Sequence, residues 1–341
     1  PHARDRLHAY LQGGVLKRNH LKVYASPPVL PFYNKLRGLN RYNQKKLAVY
    51  LKSLLKENDF GHDFYLWCYS PSTADLIAPL AGLLGMDAEA LWKRTIYDCV
   101  DRHSAYPGMI DPRVVDSMEE DLARKAGTVF ATAQGLYDRL SALNPNTHLI
   151  PNGVDYELFS SVAEWTPQAE RPLTFGFVGM LQECIDYDCI RAVSGAFPDG
   201  KVVLVGRSLP GVDLSWLREY PNVECRGLVP QDQLPRIMLP FHVCMNVFAH
   251  NELSKDVSPL KFYEYLATGK PVVSTPVPLQ VKAYADCIYL AEDTEEFIEK
   301  CREAAGESPD DPRRAERMRL ARSCSWEERL RAMRSILGWI E

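Results

Sequence analysis

Lys261 and Glu264 stand three residues apart in the stretch SPLKFYEYLATGKPVVSTP, residues 258–276. A lysine in the first turn of a helix is placed to meet an anion, and a carboxylate one turn on accepts from both hydroxyls of a ribose. The flanking residues predict that helix. Ser258 is a good N-cap, because its hydroxyl accepts from an orphan backbone N–H. Pro259 suits the first helical position, where its missing donor costs nothing. Gly269 takes the left-handed conformation that ends the helix, and Pro271 stops it from resuming. The N-terminus, from Ser258 through Leu260 to Lys261, then offers free N–H groups and the positive end of the helix dipole to an anion. The same two side chains also fit a plain i,i+3 surface pair.

A second cluster lies in YDCVDRHSAYPG, residues 97–108. Asp98, Asp101 and His103 follow a predicted strand, and the carboxyl ends of strands are where doubly wound folds hold their ligands. Asp101 and His103 suit proton transfer, whereas Asp98 suits capping or orienting the loop. Gly179, in GFVGML, permits close backbone approach to a phosphate or a sugar, or simply makes a turn. Arg207 follows the apolar run KVVLV, either as an exposed loop arginine or as a cation for an anionic ligand. Asp186-Tyr187-Asp188 is a DxD triplet, but it starts a helix, where acids complement the dipole, so no metal site is expected. No GxGxxG follows a strand, and no GxSxG or HExxH occurs, which removes the main signals of dinucleotide oxidoreductases, nucleophile-elbow hydrolases and zinc peptidases.

These residues need a frame. Short β-branched or aromatic runs at 21–25, 64–69, 94–98, 128–132 and 147–150 alternate with helical patterns at 72–85, 113–126 and 133–142. A second series of runs, at 173–178, 201–205, 223–226, 242–248, 271–274 and 287–290, alternates with helices at 184–196, 231–239, 259–268 and 293–305. Alternation of this kind argues for parallel sheets covered on both faces. Two such series predict two doubly wound α/β domains with the break at 151–172. The tail, 310–341, is predicted helical, with Ser325 and Glu328 forming a capping box. The first domain opens with loop and helix where a strand is usual, so its first strand is expected to be absent from the sequence.

With 46% hydrophobic and 25% charged residues, the chain has the composition of a globular protein. No apolar run reaches the ~18–20 residues of a spanning helix, and residues 1–20 lack the apolar centre of a signal peptide. The nine cysteines form no CxxC and read as buried thiols in a reducing cytoplasm. The net charge of −4 is uneven: residues 1–56 carry 12 Lys and Arg against Asp5 alone, leaving 28 basic and 43 acidic residues beyond. Tyr10, Tyr24, Phe32, Tyr33, Tyr42 and Tyr50 interleave with the basic residues. Such a surface is either a solvated basic face or a patch for anionic lipid headgroups. No nucleic-acid-binding motif accompanies it.

LKFYEYLATGKPVVST and IPNGVDYELF (150–159) together resemble the GT-B glycosyltransferases of family four, and YDCVDRHSAYPG resembles an element of bacterial surface-polysaccharide members of the teichuronic-acid type. The resemblance implies two Rossmann-like domains facing a central cleft: residues 1–154 for the acceptor, 155–320 for a nucleotide sugar, and a helix at 321–341 packing back toward the first domain. In that family the second glutamate of an E-x7-E pair binds the ribose, and it maps onto Glu264. The first falls on Asp256, a departure from the pattern, and Glu252 is another carboxylate on the same loop; either is a candidate for sugar hydroxyls. Arg207 maps near the basic residue that neutralises the diphosphate, and Arg226 to Val229 lie where the base packs. The implied activity is transfer from a UDP-, GDP- or dTDP-linked sugar, without cofactor or metal, to a glycolipid or polysaccharide acceptor. It would take place in the cytoplasm, at the inner face of the membrane. An inactive nucleotide-binding partner subunit and a sugar-nucleotide epimerase of the same fold are the alternatives.

Overall fold

The computed structural model describes residues 15–18, 21–106, 108–163, 172–251, 254 and 257–339. The chain divides into two compact units, one of Pro1–Thr132 with Leu136–Leu149, the other of Ala133–Gly135 with Ile150–Glu341.

The first unit opens with an antiparallel pair, β1 (Val15–Arg18) and β2 (Leu21–Tyr24). The run at 21–25 was expected in the parallel series and is instead half of a hairpin. Two residues separate it from β1, too few for the crossover of a dozen or more that parallel pairing needs. Four parallel strands follow, β3 (Leu66–Cys68), β4 (Thr95–Cys99), β5 (Thr128–Ala131) and β6 (Thr147–Leu149), side by side in sequence order. Ile96, Tyr97, Val129 and Phe130 are buried with Ile77, Leu80, Met118, Leu122 and Leu136 from the intervening helices.

Between β2 and β3 runs a 21-residue helix, Arg37–Glu57, which the sequence pattern does not announce. Its buried residues are Asn40, Asn43, Gln44 and Ala48, so there is little apolar stripe to detect. Hydrogen bonds take its place. The Asn43 side chain accepts from Leu30 N–H at 2.9 Å and donates to Leu30 C=O at 3.0 Å. Asn40 Nδ2 donates to Ser72 C=O and to Asp75 Oδ2, both at 2.8 Å.

In the second unit six parallel strands, β7 (Thr174–Val178), β8 (Lys201–Val205), β9 (Val223–Cys225), β10 (Val243–Asn246), β11 (Val272–Ser274) and β12 (Tyr289–Leu290), lie in the order β12-β11-β10-β7-β8-β9. This is the Rossmann order, 3-2-1-4-5-6 read from the other edge, and it reverses between β7 and β10. Alternate residues feed two cores. Phe175, Phe177, Leu204 and Met245 pack with Ile190 and Phe297 from helices Tyr187–Ala196 and Thr294–Ala305. Val178, Val203 and Cys244 pack with Phe262 and Leu266 from helix Leu260–Ala267. Gly176 in β7 makes room for a ring, since a Cβ there would lie 2.0 Å from Phe241.

The tail is two helices, Pro312–Ser323 and Trp326–Ile336. Ser325 Oγ accepts from Glu328 N–H at 3.3 Å, the expected half of a capping box, while Ser325 N–H goes back to Arg322 C=O. Asp186 caps helix Tyr187–Ala196 by accepting from Cys189 N–H, and Asp188 pairs with Arg191. All nine cysteines are free thiols, eight of them buried and Cys225 exposed. Among the described residues no helix is long and apolar enough to cross a membrane, and no group of His, Cys, Asp or Glu has metal-site geometry.

Candidate functional site

The reversal of strand order between β7 and β10 leaves a crevice at the carboxyl ends of these strands, where neither crossover covers the sheet. A cavity of about 230 Å³ occupies it. Gly179, Met180 and Gln182 line it from the loop after β7, Asn246 and Phe248 from the end of β10, and Ser258 to Lys261 from the start of helix Leu260–Ala267. Thus the sequence-predicted Gly179, Ser258, Pro259, Leu260 and Lys261 are brought together.

The start of that helix differs from the expectation. It begins at Leu260, with Pro259 in extended backbone (φ −76°, ψ 98°) as its N-cap, so Ser258 lies one residue outside and Pro259 is not at the first helical position. Ser258 does not cap because Asn152 captures it. Asn152 N–H donates to Ser258 Oγ at 3.1 Å, and Asn152 Nδ2 donates to Ser258 C=O at 2.7 Å. No side chain caps the first turn, in which Phe262 N–H donates to Pro259 C=O at 3.0 Å. The helix ends as expected, with Gly269 left-handed at φ 68°.

Glu264 is wholly buried, against a Lys261 side chain that retains 28% exposure. Lys261 Nζ donates to Glu264 Oε1 at 2.9 Å, and Gln231 Nε2 reaches the same oxygen at 3.4 Å. Glu264 Oε2 is buried and has no hydrogen-bond partner among the described residues. The pair is therefore not an exposed surface salt bridge. Burial pushes the Glu264 carboxyl above its ordinary range, and Lys261 and Gln231 oppose that shift.

Arg207 is exposed, and its carbonyl accepts from Leu181 N–H at 3.0 Å, which ties it to the loop on the cavity rim. Gly179 N–H donates to Val205 C=O at 2.8 Å, and Gly206, at φ 148°, lies so near that a Cβ would meet Gly179 O at 1.8 Å. Val229 is half-buried two residues before Gln231, while Arg226 pairs with Glu224 at 2.8 Å. Glu252 and Asp256 lie outside the described residues.

In the first unit, Asp98 sits inside β4 rather than beyond it, and it does not cap the following loop. Its Oδ2 accepts from Trp67 Nε1 at 3.0 Å, and burial raises its pKa against that bond. Pairing with β5 continues through Cys99, so Asp98 lies within the sheet rather than on the loop after it. Asp101 is half-buried and accepts from Tyr106 O–H at 2.5 Å. Tyr106 also meets the His103 ring edge-on, with centroids 5.7 Å apart, and His103 Nε2 is buried without a partner among the described residues.

Sequence reading missed Tyr106, Gln231, Asn152, Asn246 and Phe248. The last two follow from strand order alone: once β10 is placed beside β7, its carboxyl end must border the crevice. Glu119 was also missed. Wholly buried, it accepts from Tyr97 O–H at 2.5 Å and pairs with Arg139 at 2.5 Å, fixing the strand that leads into Asp101.

Residues 187–335 match the family described as glycosyl transferase-like. Over 255 residues the chain is 26% identical to the putative teichuronic acid biosynthesis glycosyltransferase TuaH of Bacillus subtilis (strain 168), covering 69% of this chain and 64% of that protein. The chain thus spans a little under two thirds of that relative's length. Its fold is similar to that of sucrose-phosphate synthase from Thermosynechococcus elongatus, with a TM-score of 0.68 at 15% identity over 95% of this chain and 85% of that one. It is also similar to Anabaena HepE in complex with UDP, with a TM-score of 0.63 at 15% identity over 86% of this chain and 82% of that one. An E. coli trehalose-6-phosphate structure bound with UDP-2-fluoro glucose gives a TM-score of 0.65 at 12% identity over 89% and 78%. The chain has the GT-B fold and is similar in sequence to the glycosyltransferase TuaH.

Proposed function

We propose that the chain is an enzyme that transfers a sugar from a nucleoside-diphosphate sugar to a glycolipid or polysaccharide acceptor of the cell surface. The carrying observation is Glu264. A wholly buried carboxylate with one oxygen unpartnered is costly, and a ribose hydroxyl donating to Oε2 removes that cost. Helix Leu260–Ala267 and Lys261 would then face the diphosphate, with Arg207 adding charge as the leaving group departs. Two of the similar structures, HepE and the E. coli protein, are complexes with UDP and a UDP-sugar analogue, which supports a nucleotide donor here. In the first unit Asp101 would act as general base on the acceptor hydroxyl, with Tyr106 and His103 beside it.

The acceptor's setting is proposed from charge. Helix Arg37–Glu57 exposes Arg41, Lys45, Lys46, Lys52 and Lys56, and Val29, Leu30, Phe32 and Leu36 are exposed just before it. Basic and apolar side chains together suit an anionic membrane surface, which would put the enzyme at the inner face of the cytoplasmic membrane.

The test is calorimetric titration with UDP, GDP and dTDP, followed by incubation with radiolabelled sugars on each nucleotide that binds. Binding with transfer or donor hydrolysis supports the proposal. Binding without either indicates an inactive relative, and interconversion of the free donor indicates an epimerase.

A further inference from the structure

Among the described residues the wall of the cavity between β7 and β10 is largely hydrocarbon, and this bears on which donor fits it, given the reading of the cavity as the donor site. Met180, Ile185, Phe248 and Val257 present hydrocarbon to it. Met180 is a large apolar side chain left 48% exposed at this rim, although nothing in the core requires it there. Two of the polar side chains on the wall are turned to protein partners. Asn246 Nδ2 donates to Ser274 Oγ at 2.8 Å and Ser258 Oγ accepts from Asn152, while Lys261, which pairs with Glu264, is the diphosphate's partner in the proposed reading. Tyr265 O–H donates to Val178 C=O at 3.1 Å and accepts from Val178 N–H at 2.6 Å.

A sugar hydroxyl turned toward Met180, Ile185 and Phe248 exchanges water for no partner. A methyl group in the same place gains by leaving water. We infer that this site selects a donor whose sugar carries a methyl group, as a 6-deoxyhexose or an acetamido sugar does, seated against Met180, Ile185 and Phe248.

Pairs of donors matched in nucleotide and ring configuration isolate this choice: UDP-N-acetylglucosamine with UDP-glucose, GDP-D-rhamnose with GDP-mannose, and dTDP-D-fucose with dTDP-galactose. For each nucleotide that binds alone, both members are titrated and their turnover compared as kcat/KM. One methyl-sized group in an apolar pocket separates ligands by ~10–200-fold, so at least one methyl-bearing donor is expected to exceed its partner about tenfold or more. Met180→Gln, on an exposed position that leaves the fold intact, is expected to bring that ratio toward one. Equal or better use of the fully hydroxylated partner in every pair overturns the inference while leaving nucleotide binding, and so the donor site, in place. Failure of all three nucleotides to bind overturns the donor site and this inference together.

Discussion

Lys261 Nζ and Glu264 Oε1 lie 2.9 Å apart, with the carboxylate wholly buried and the lysine open on one side to the cavity. Burial disfavours the charged form of Glu264 and the Lys261 contact opposes that, while Oε2 has no hydrogen-bond partner among the described residues.

Glu264→Gln retains shape and loses charge. A hydrogen bond to a charged group contributes roughly 1.5–3 kcal/mol, so nucleotide affinity is expected to fall ~10–100-fold. Calorimetry with the tightest-binding nucleotide reads this directly. An unchanged Kd would place the ribose elsewhere.

Lys261→Met leaves the buried carboxylate without its cation. Glu264 already titrates above its ordinary value of 4.5 because of burial, with Lys261 opposing. A carboxyl whose folded pKa is raised binds more protons folded than unfolded, so its contribution to stability declines as pH rises through that range. Without Lys261 the folded pKa climbs further, and the variant should lose Tm relative to the parent increasingly between pH 4 and pH 8. A Tm difference that does not change with pH would contradict this account.

Asp101→Asn should lower kcat by ~10²–10⁴, the usual worth of a general base, with donor affinity unchanged. Tyr106→Phe, which removes the 2.5 Å hydrogen bond to Asp101, should lower kcat by a smaller factor, because the carboxylate loses the donor that orients it. A kcat unmoved by either change would remove Asp101 from the chemistry.

Gly176→Ala sets a methyl on the Phe241 ring. Overpacking of this kind costs ~1–3 kcal/mol, seen as a lower urea midpoint. Phe241→Leu in the same chain should recover part of that loss, giving a non-additive double-mutant cycle. Additive losses would show that the two sites do not touch.

Reversing Lys45, Lys46 and Lys52 to Glu on the exposed side of helix Arg37–Glu57 should abolish sedimentation with anionic vesicles at low salt, each basic residue contributing about 1 kcal/mol. The parent should itself release as salt rises and the Debye length shortens. Binding that ignores both changes would refute electrostatic docking.

The sheet of the second unit was readable because strands buried on both faces appear as apolar runs, KVVLV and HVCMN among them. The order of those strands was not, since pairing is decided by contacts far apart in sequence. Hence Gly179 and Lys261 stood out locally, but Asn246 and Phe248 did not. Ser258 was misread as a cap because its captor, Asn152, lies 106 positions away. Helix Arg37–Glu57 escaped notice for the opposite reason: asparagines, not leucines, secure its inner side. Glu264 was identified with its lysine, yet nothing in the spacing disclosed that it would be sealed from water.

The neighbours β7 and β10 are separated by some 65 residues of chain that must first be synthesised and folded away as β8, β9 and their helices. A ribosome that has released only the first half of this sheet has produced no pocket at all. Fragments ending before residue 243 should be blind to nucleotide, and binding should arise in a single late step when the second half of the sheet zips onto β7.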